Sequence, residues 1–471
     1  MKRRLRVYKK TVSIVNETAT GMYESLVGDK KGFLLESYDK NYDRYTFFGK
    51  EPEEIISSRG NALVITKNDG TQEVRNGNPL ERLKEYYSEF DIVKDNEELS
   101  FSGGLVGNLG YDFVRYAEVL PDNNSDEIGI ETVQMMLMTK FIMVDHVAET
   151  LTGIILGEDT PEGKEKSLEE AEELIRQALA NKGRAPEKNF THDGVIVNQS
   201  DSLEQYSQKV EKIKEYIREG HIFQTVLSQR WTIETKQSGF ELYKELRELN
   251  PSPYLYYFNY GDFEVIGSSP EMIVKQQGNR VYTCPIAGTR KRGADAEEDA
   301  LLRDELLQDE KERAEHVMLV DLARNDMGRI SEFGTVKVTQ FMEVQNYSHV
   351  MHIVSMVEGR KKGEFHPLDL VSSFLPAGTL SGAPKIRAME IIDELESVRR
   401  GLYGGATGYI DFSGDMDFCI TIRTMIKKEN RVYLQAGAGI VADSVPENEY
   451  QECCNKVMAL AKTLVNVSST L

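Results

Sequence analysis

The sequence predicts a mixed α+β protein built on large antiparallel β-sheets. Apolar residues recur at helical spacing across residues 202–218, as expected of a helix with one buried face. Two strand-like runs, 254–260 and 263–267, flank Gly261-Asp262, a pair typical of a β-hairpin turn. The chain has no repeat of roughly 20–50 residues and no low-complexity tract, which argues against a repeat architecture.

Three regions differ in composition. Residues 1–155 mix short strand-like runs with turn signals. Residues 156–200 contain an acidic helix-like stretch followed by a polar segment, and we interpret them as an acidic connector that is solvated on most sides. Residues 201–465 mix helices and strands.

The predicted elements follow the chain in order. They are strands at 32–35 and 62–66, a helix at 166–180, a helix at 202–218 that stops at Gly220, a strand at 223–231, the hairpin of 254–267, one long helix at 296–324, strands at 335–341, 349–357, 408–412, 418–427 and 432–436, and a final helix. Pro446 suits the first turn of that final helix, and Ser444 or Asp443 suits its N-terminal cap.

The composition excludes several classes of function. Forty per cent of the 471 residues are hydrophobic, which is ample for a buried core. A net charge of −20 repels DNA, RNA and acidic lipid headgroups, so we expect neither a nucleic-acid nor a membrane partner. A small anionic ligand remains compatible with this charge if cations or a metal cluster locally.

The termini and cysteines indicate a cytoplasmic protein. The basic N-terminus is not followed by an apolar segment, so a secretory signal is not expected. The most apolar stretch, 133–144, is shorter than the about 20 residues that span a bilayer. The four cysteines form no CxxC pair and no zinc spacing, as expected of reduced thiols.

Two predicted helices each carry carboxylates on one face. Glu312 and Glu315 are three residues apart, as are Glu449 and Glu452, and Lys456 follows on the same face as the second pair. If the two faces meet, they form an all-oxygen site that suits Mg²⁺. Taken alone, each acidic pair is more often a solvated helix surface.

Other polar features leave alternatives open. Glycine-rich loops at 285–289, 376–385 and 436–439 could bring backbone N–H groups close to an anion, although an ordinary turn is the commoner explanation for any one loop. None has P-loop or dinucleotide-binding spacing. Arg423, in an apolar strand-like run, fits a buried salt bridge as well as a carboxylate clamp. His352 alone would more often be a satisfied core residue.

The order of the motifs along the chain and their residues are more specific than any of these single features. From about residue 200 to 465 the chain resembles the chorismate-utilising enzymes. The matching blocks are Ile222–Ser228, Gly267–Glu271, Pro285–Thr289, Asp309–Asn325, Pro376–Lys385, Tyr403–Gly405, Gln435–Val441 and Glu449–Lys456. The resemblance implies a chorismate substrate, a Mg²⁺ ion and large antiparallel β-sheets packed as a sandwich with flanking helices.

The resemblance also implies roles for individual residues. The implied metal ligands are Glu315 and Glu452, with Glu312 and Glu449 as neighbours that hold metal-bound water or substrate. The implied catalytic residues are Gln224, Thr289, the general acid Glu271, and His352, which is linked to pyruvate elimination. The implied substrate contacts are Gly288, Thr379, Tyr403, Arg423, Gly437, Gly439 and Lys456. A carboxyl group in the place of Glu271 should have a raised pKa near an anionic substrate.

Two positions indicate the branch of the family. Water-adding relatives carry a lysine where this chain has Gln224, and an amide is too weak a base to activate water. Aminodeoxychorismate synthases typically carry a lysine nucleophile where this chain has Ala287, and a methyl group cannot attack. Direct addition of ammonia at C2 and loss of pyruvate would yield anthranilate, the precursor of tryptophan.

The N-terminal region resembles the regulatory region of the anthranilate-forming branch. The implied L-tryptophan contacts are Glu36, Ser37, Arg44, Pro253, Tyr254 and Leu255, which predicts feedback inhibition. Relatives keep a similar pocket without regulation, so this alternative stays open. The chain contains no glutaminase region, so we expect ammonia from a separate glutamine amidotransferase subunit.

Three other functions remain possible at this point. An aminodeoxychorismate synthase large subunit would accumulate 4-amino-4-deoxychorismate. An isochorismate or salicylate synthase would turn over without an ammonia source, and Gln224 argues against it. A catalytically inactive chorismate-binding regulatory protein is disfavoured by the presence of Glu271, Glu315, Glu452 and His352.

Overall fold

The computed structural model describes residues 2–37, 44–93, 99–180, 192–347 and 350–465. These residues form two large β-sheets packed face to face, with helices on the outer faces, so the predicted α+β sandwich is confirmed.

The strands, in chain order, are β1 (Arg3–Ser13), β2 (Gly32–Glu36), β3 (Tyr45–Lys50), β4 (Glu54–Ser58), β5 (Ala62–Lys67), β6 (Gln72–Asn76), β7 (Phe90–Val93), β8 (Gly104–Leu109), β9 (Val133–Met138), β10 (Lys140–Asp145), β11 (Thr150–Glu158), β12 (Val195–Gln199), β13 (Gln224–Glu234), β14 (Tyr254–Asn259), β15 (Glu264–Ser269), β16 (Met272–Gln277), β17 (Arg280–Thr283), β18 (Ile286–Lys291), β19 (Lys337–Asn346), β20 (Val350–Arg360), β21 (Gly382–Ala383), β22 (Ala406–Asp411), β23 (Met416–Ile420), β24 (Thr424–Lys428) and β25 (Arg431–Ile440).

The α-helices are α1 (Ala19–Leu26), α2 (Pro79–Tyr87), α3 (Pro161–Ala178), α4 (Leu203–Arg218), α5 (Gly239–Leu249), α6 (Ala296–Gln308), α7 (Glu310–Ile330), α8 (Pro367–Phe374), α9 (Lys385–Leu395) and α10 (Pro446–Ala461). Short 3₁₀ helices occupy Tyr111–Tyr116 and Gly378–Leu380. Within the described residues, no helix is long and apolar enough to cross a membrane.

Both sheets combine strands from the two ends of the chain. The first sheet has the order β12-β13-β25-β24-β15-β14-β2-β3-β10-β11-β1-β7, with β21 paired to β13. The second has the order β18-β20-β17-β16-β23-β22-β8-β9-β4-β5-β6, with β19 paired to β20. The predicted N-terminal and C-terminal regions therefore share their sheets, and their division into regulatory and catalytic regions stays a prediction.

The core lies in three layers. Aromatic and aliphatic side chains from both sheets interdigitate between them, including Phe47 and Tyr256 from the first sheet and Val106 from the second. A second apolar layer packs α1, α3, α4, α5, α9 and α10 on the outer face of the first sheet. A third packs α2, α7 and α8 on the outer face of the second sheet. Burial of this apolar surface is the main term that stabilises the sandwich.

Several local predictions are confirmed. The helix of 202–218 ends at Arg218 and is followed by Gly220, whose φ of +79° lies in the left-handed region that glycine tolerates. The hairpin of β14 and β15 turns at Gly261-Asp262, with Gly261 at φ +99°. Pro446 occupies the first turn of α10. The predicted cap is wrong, because Val445 holds the cap position and the Ser444 hydroxyl instead accepts from the Val441 N–H.

The predicted long helix at 296–324 is wrong. The chain leaves helical geometry at Asp309 (φ −67°, ψ 109°), which ends α6 and caps α7. Its carboxylate accepts hydrogen bonds from the Lys311 and Glu312 N–H groups. A short acidic side chain that satisfies free N–H groups favours a new helix start over continuation.

The predicted single strand at 418–427 is also wrong. Residues 416–420 form β23 in the second sheet, whereas 424–428 form β24 in the first. Between them the chain crosses from one sheet to the other, and Arg423 adopts a left-handed φ of +49°. An apolar run alone cannot show which sheet each half joins.

The predicted connector contributes to the fold. Helix α3 buries one face, including Ala171, Leu174 and Ala178, against the first sheet and leaves the other face in solvent. Strand β12 adds an edge strand to the same sheet. The predicted polar segment 181–189 lies outside the described residues.

A buried ion pair anchors three segments near the middle of the sandwich. Arg400 and Glu396 have side chains that are 1% and 3% exposed, and two of their hydrogen bonds measure 2.9 and 2.6 Å. Arg400 also donates to the carbonyl oxygens of Leu380 and Val226. Glu396 accepts from both the backbone N–H and the hydroxyl of Ser228.

We predict that Arg400→Met lowers the free energy of unfolding by about 3–5 kcal/mol, because Glu396 would remain buried without its partner. Urea denaturation followed by circular dichroism measures this change. The matched control is Arg176→Met, which removes an exposed arginine that pairs with Glu173 and should cost less than about 1 kcal/mol. Equal losses in the two variants would contradict the assigned role of the buried pair.

Candidate active site

Two neighbouring crossings between the sheets form one wall of the site. Strands β15 and β24 pair in the first sheet, and their continuations β16 and β23 pair in the second. Glu271 lies at one crossing and Arg423 at the other. The Ile420 N–H donates to the Glu271 carbonyl (2.9 Å), and the Ser268 N–H donates to the Arg423 carbonyl (3.1 Å). The pairing of the sheets therefore places an acid and a cation side by side.

Glu271 is positioned as a proton donor. The residue is 8% exposed, and the Thr379 hydroxyl donates to its Oε1 at 3.0 Å. Burial raises the pKa of Glu271 to about 8, while the Thr379 hydrogen bond and the charges of Lys456 and Arg423 oppose the rise. The carboxyl group is therefore largely protonated at neutral pH, as a general acid requires.

His352 is held in one tautomer on β20. Its Nδ1 lies 2.9 Å from the Gly288 carbonyl oxygen and 3.1 Å from the Thr289 hydroxyl. A carbonyl oxygen can only accept, so Nδ1 carries the proton and Nε2 keeps a lone pair. Burial lowers the pKa of His352, and the charge of Arg423 lowers it further. The neutral imidazole can accept a proton at Nε2.

Helices α7 and α10 present carboxylates to each other. Burial raises the pKa of Glu315, and the negative charges of Glu312 and Glu452 raise it further. Burial likewise raises the pKa of Glu449, to which the charge of Glu452 also contributes. The Glu315–Glu452 repulsion joins the two helices, so α7 and α10 each bring a carboxylate into the same region, and Glu312 and Glu449 lie one turn away on their own helices. Lys456 offsets only part of the repulsion, through an ion pair with Glu452 (2.7 Å).

The donor set fits a hard divalent cation. The converging groups are carboxylate oxygens, which Mg²⁺ prefers, and their mutual repulsion is relieved by a positive ion. Among the described residues, no group of three or more His, Cys, Asp and Glu side chains is arranged to hold a metal ion. Mg²⁺ commonly binds one or two protein carboxylates and completes its shell with substrate and water.

Another part of the site is formed by Lys456 of α10 and the glycines Gly437 and Gly439 of β25. The Lys456 ammonium group donates to the Gly437 carbonyl at 2.8 Å. A methyl group at Gly437 would lie 3.0 Å from the Tyr403 hydroxyl, and one at Gly439 would lie 2.7 Å from Gln224 Nε2. Glycine therefore permits the close approach at Gly437, where the Leu227 carbonyl oxygen would also lie 3.0 Å away, whereas at Gly439 the Gln224 side chain could shift to make room. Burial raises the pKa of Tyr403, which keeps its hydroxyl neutral as a hydrogen-bond donor.

Two polar groups at the site are available to a ligand. The buried Gln224 Oε1 has no hydrogen-bond partner within the part of the chain that the structure describes. Over the same residues, Arg423 has no carboxylate within ion-pair distance; burial lowers its pKa, and the charge of Glu271 opposes that shift. A buried unpaired guanidinium is costly, and an anionic ligand would compensate it.

One residue missed by sequence reasoning organises the first turn of α7. Arg290 lies 2.8 Å from an Asp309 carboxylate oxygen and 3.3 Å from Glu312 Oε1, and its Nη1 donates to the Thr289 carbonyl. It links β18, whose Gly288 and Thr289 hold His352, to the acidic helix α7. Its position directly after Thr289 was the only sequence signal.

The residues predicted to contact tryptophan are only partly brought together. Ser37, Pro253, Tyr254 and Leu255 line a cavity of about 160 Å³ between the sheets, which we call the inter-sheet cavity. The Ser37 hydroxyl is buried, and the described residues supply no partner for it.

The other two predicted contacts, Glu36 and Arg44, are paired with side chains of the protein. Glu36 also lines the cavity, but its carboxylate accepts hydrogen bonds from the Tyr243 hydroxyl and from Arg247 Nε (3.0 Å) on the α5 side. Arg44 lies outside the lining, where it pairs with Asp145 at 3.0 Å.

An ion pair in the cavity wall was also missed. Lys275 Nζ lies 2.8 Å from an Asp417 carboxylate oxygen, and the Tyr254 hydroxyl donates to Asp417 Oδ1 at 2.9 Å. These residues meet because β16 pairs with β23 in the second sheet. No local motif marks them, since the pairing joins positions far apart in sequence.

Comparison with known proteins identifies the class first. The chain belongs to the family of chorismate binding enzymes, whose family model matches residues 33–462. It is similar to anthranilate synthase component 1 of Acetivibrio thermocellus, at 45% identity over 95% of this chain and 93% of that protein. The same-named protein of Aquifex aeolicus is 42% identical over 92% of this chain and 88% of its own length.

Solved structures agree with these relatives. The crystal structure of anthranilate synthase component I from Streptococcus pneumoniae superposes with a TM-score of 0.78 at 39% identity, covering 89% of this chain and 92% of that one. The menaquinone-specific isochorismate synthase MenF of Escherichia coli, at 18% identity and a TM-score of 0.73, covers 99% of this chain and 95% of that one, and shares the fold.

We predict a bell-shaped pH dependence of kcat/KM. Activity needs Glu271 protonated and His352 neutral, so it should fall as pH rises through about 8 and fall again as pH drops below the His352 pKa, which lies under 6.5. Initial rates between about pH 5 and 9.5 measure this dependence. A Glu271→Gln variant should lose activity by about 10²–10⁴-fold, and an alkaline limb that persists in its residual rate would contradict the assignment to Glu271.

Proposed function

We propose that this chain converts chorismate and ammonia to anthranilate and pyruvate, in the biosynthesis of tryptophan. The observation that carries the proposal is the convergence of a buried protonated acid, Glu271, a neutral base, His352, and opposed carboxylate pairs on α7 and α10. Its relatives named anthranilate synthase component 1 support the same product.

The first step adds ammonia to the ring. Ammonia attacks C2 of chorismate, the ring double bonds shift, and the C4 hydroxyl leaves as water with the proton of Glu271. Thr379 orients that carboxyl group through its hydrogen bond to Oε1. The unpartnered Gln224 amide oxygen can accept an N–H of the incoming ammonia, which needs no base because it has its own lone pair.

The second step eliminates pyruvate. His352 Nε2 takes the proton from C2 of the amino intermediate, the C3–O bond breaks, and the ring becomes aromatic as enolpyruvate leaves. The hydrogen bond from Nδ1 to the Gly288 carbonyl keeps the lone pair on Nε2. Ala287 has no nucleophile, so no covalent attachment to residue 287 competes with this route.

We further propose that Glu315 and Glu452 hold a Mg²⁺ ion, with Glu312 and Glu449 beside it. When bound, the ion would draw electron density from the ring carboxylate of the substrate. Arg423, Tyr403, Lys456 and the backbone near Gly437 and Gly439 would hold the second carboxylate. This cluster of cations and donors provides the local attraction that a chain of net charge −20 needs for a dianionic substrate.

The ammonia source and the location also belong to the proposal. We propose that a glutamine amidotransferase subunit supplies ammonia in the cytoplasm, because relatives of this chain are named as the first component of a two-component enzyme. Free ammonium at high concentration should replace it.

We propose L-tryptophan as a feedback inhibitor bound in the inter-sheet cavity. The cavity combines apolar walls, from Leu35, Pro253 and Leu255, with the Lys275–Asp417 ion pair. Opposite charges close together suit the ammonium and carboxylate groups of an amino acid. Ser37 can hydrogen-bond the ligand, whereas the Glu36 carboxylate is occupied by Tyr243 and Arg247.

The direct test is an assay of the purified chain with chorismate, MgCl₂ and ammonium chloride. We expect equimolar anthranilate, detected by its fluorescence, and pyruvate, detected with lactate dehydrogenase. Accumulation of 4-amino-4-deoxychorismate, or turnover without ammonium, would reject the proposal in favour of another branch of the family.

We predict that Glu315→Gln or Glu452→Gln lowers turnover by at least about 10²-fold, because each removes a charged ligand of the ion. Isothermal titration with MgCl₂ should show weaker binding in both variants. The matched control is Glu310→Gln, an exposed residue in the first turn of α7, which should leave both measurements unchanged. Normal Mg²⁺ binding in the Glu315 and Glu452 variants would remove the metal assignment.

A further inference from the structure

The inter-sheet cavity and the active site share walls. Pro270 and Met272 line the cavity and flank Glu271 on either side. Ile286 also lines it, two residues before Gly288, whose carbonyl holds His352. For both catalytic groups, residues close in sequence to the group, or to the residue that holds it, therefore line the cavity.

The Tyr347 side chain contacts both the inter-sheet cavity and His352. It lines the cavity, and its ring packs edge-on against the His352 ring, with a centroid separation of 5.3 Å and an interplanar angle of 68°. Aromatic contacts of this geometry hold a ring orientation as well as burying area. The Gly288 carbonyl and the Thr289 hydroxyl hold the His352 ring through Nδ1.

The backbone of Tyr347 is anchored independently of its ring. Its N–H donates to the Val350 carbonyl at 2.8 Å, and its carbonyl accepts from Arg292 Nη1 at 2.8 Å. A ligand in the cavity can therefore displace the ring while these two backbone hydrogen bonds stay in place. The Glu271 wall is stiffer, because Pro270 restricts the backbone and the Ile420 N–H fixes the Glu271 carbonyl.

We propose that Tyr347 couples occupancy of the inter-sheet cavity to catalysis. A ligand that occupies the cavity displaces the Tyr347 ring, and His352 then loses the packing that aims Nε2 at the substrate. This inference rests on the proposed function, since it takes L-tryptophan as the ligand and pyruvate elimination as the affected step. Coupling requires that ligand and substrate favour different positions of the ring.

The decisive variant is Tyr347→Leu, with Tyr347→Phe as the conservative control that keeps the ring. Titration calorimetry measures L-tryptophan binding, and the anthranilate assay with ammonium measures the rate at saturating L-tryptophan. We expect the dissociation constant of Tyr347→Leu for L-tryptophan to stay within about threefold of that of the unaltered chain. The fraction of its own uninhibited rate that remains at saturating L-tryptophan should be at least about tenfold higher than in the unaltered chain. Tyr347→Phe should remain inhibited.

A second readout separates positioning of His352 from a general loss of structure. In Tyr347→Leu, the ratio of pyruvate released to chorismate consumed should fall, because elimination depends on His352 and amination does not. Tyr347→Phe should restore the ratio. An unchanged ratio, or a parallel loss in both variants, would overturn the positioning role.

Ser37→Ala is the matched control, because Ser37 is expected to bind L-tryptophan without coupling that binding to catalysis. Its dissociation and inhibition constants for L-tryptophan should rise by the same factor, with inhibition still complete at saturation. If Tyr347→Leu behaves like Ser37→Ala, or remains fully inhibited, the coupling role is wrong. If the unaltered chain makes anthranilate but neither binds nor responds to L-tryptophan, the inference fails while the proposed catalytic function stands.

Discussion

The active site depends on two adjacent strands that cross from one sheet to the other at the same level. Because β15 pairs with β24 and β16 pairs with β23, the residues between them must also lie side by side. The two backbone hydrogen bonds across the crossings fix Glu271 beside Arg423 before any ligand is considered. The buried Arg400–Glu396 pair then attaches the Leu380 loop and β13 to the same level, which brings Thr379 and Gln224 to the site.

Electrostatic opposition gives this region its chemical character. Burial makes ionisation of Glu271 unfavourable, whereas the carboxylates of α7 and α10 are placed close enough to repel one another. Burial therefore favours the protonated form of Glu271, and the repulsion between the carboxylates of α7 and α10 favours binding of a cation beside them. Lys456 lies between them, in contact with Glu452 and the Gly437 carbonyl. The anionic surface of the chain is thus compatible with an anionic ligand, because positive groups such as Lys456 are concentrated at the site.

The shared sheets also explain how the inter-sheet cavity can lie so close to Glu271 and His352. In each sheet the strands from the N-terminal part of the chain form one half and the later strands form the other, so the predicted regulatory and catalytic regions meet where β2 pairs with β14 and where β8 pairs with β22. The cavity draws its walls from both, including Ser37 from one and Tyr347 from the other. Packed walls with few alternative arrangements transmit a displaced side chain over a short distance.

The amino-acid sequence alone determined the elements whose signals are local. The apolar spacing of 202–218, the Gly261 turn and the paired carboxylates of α7 and α10 each depend on residues within a few positions of one another. Tertiary structure decided the break at Asp309, the change of sheet at Arg423, the partners of Glu36 and the contact between Tyr347 and His352. At Asp309 the chain could either continue α6 or cap a new helix. Tertiary contacts, such as the ion pair of Arg290 with Asp309, favour the capped start of α7. The other features are set by strand pairing and burial between residues distant in sequence, and no short pattern encodes which distant strand a segment will join.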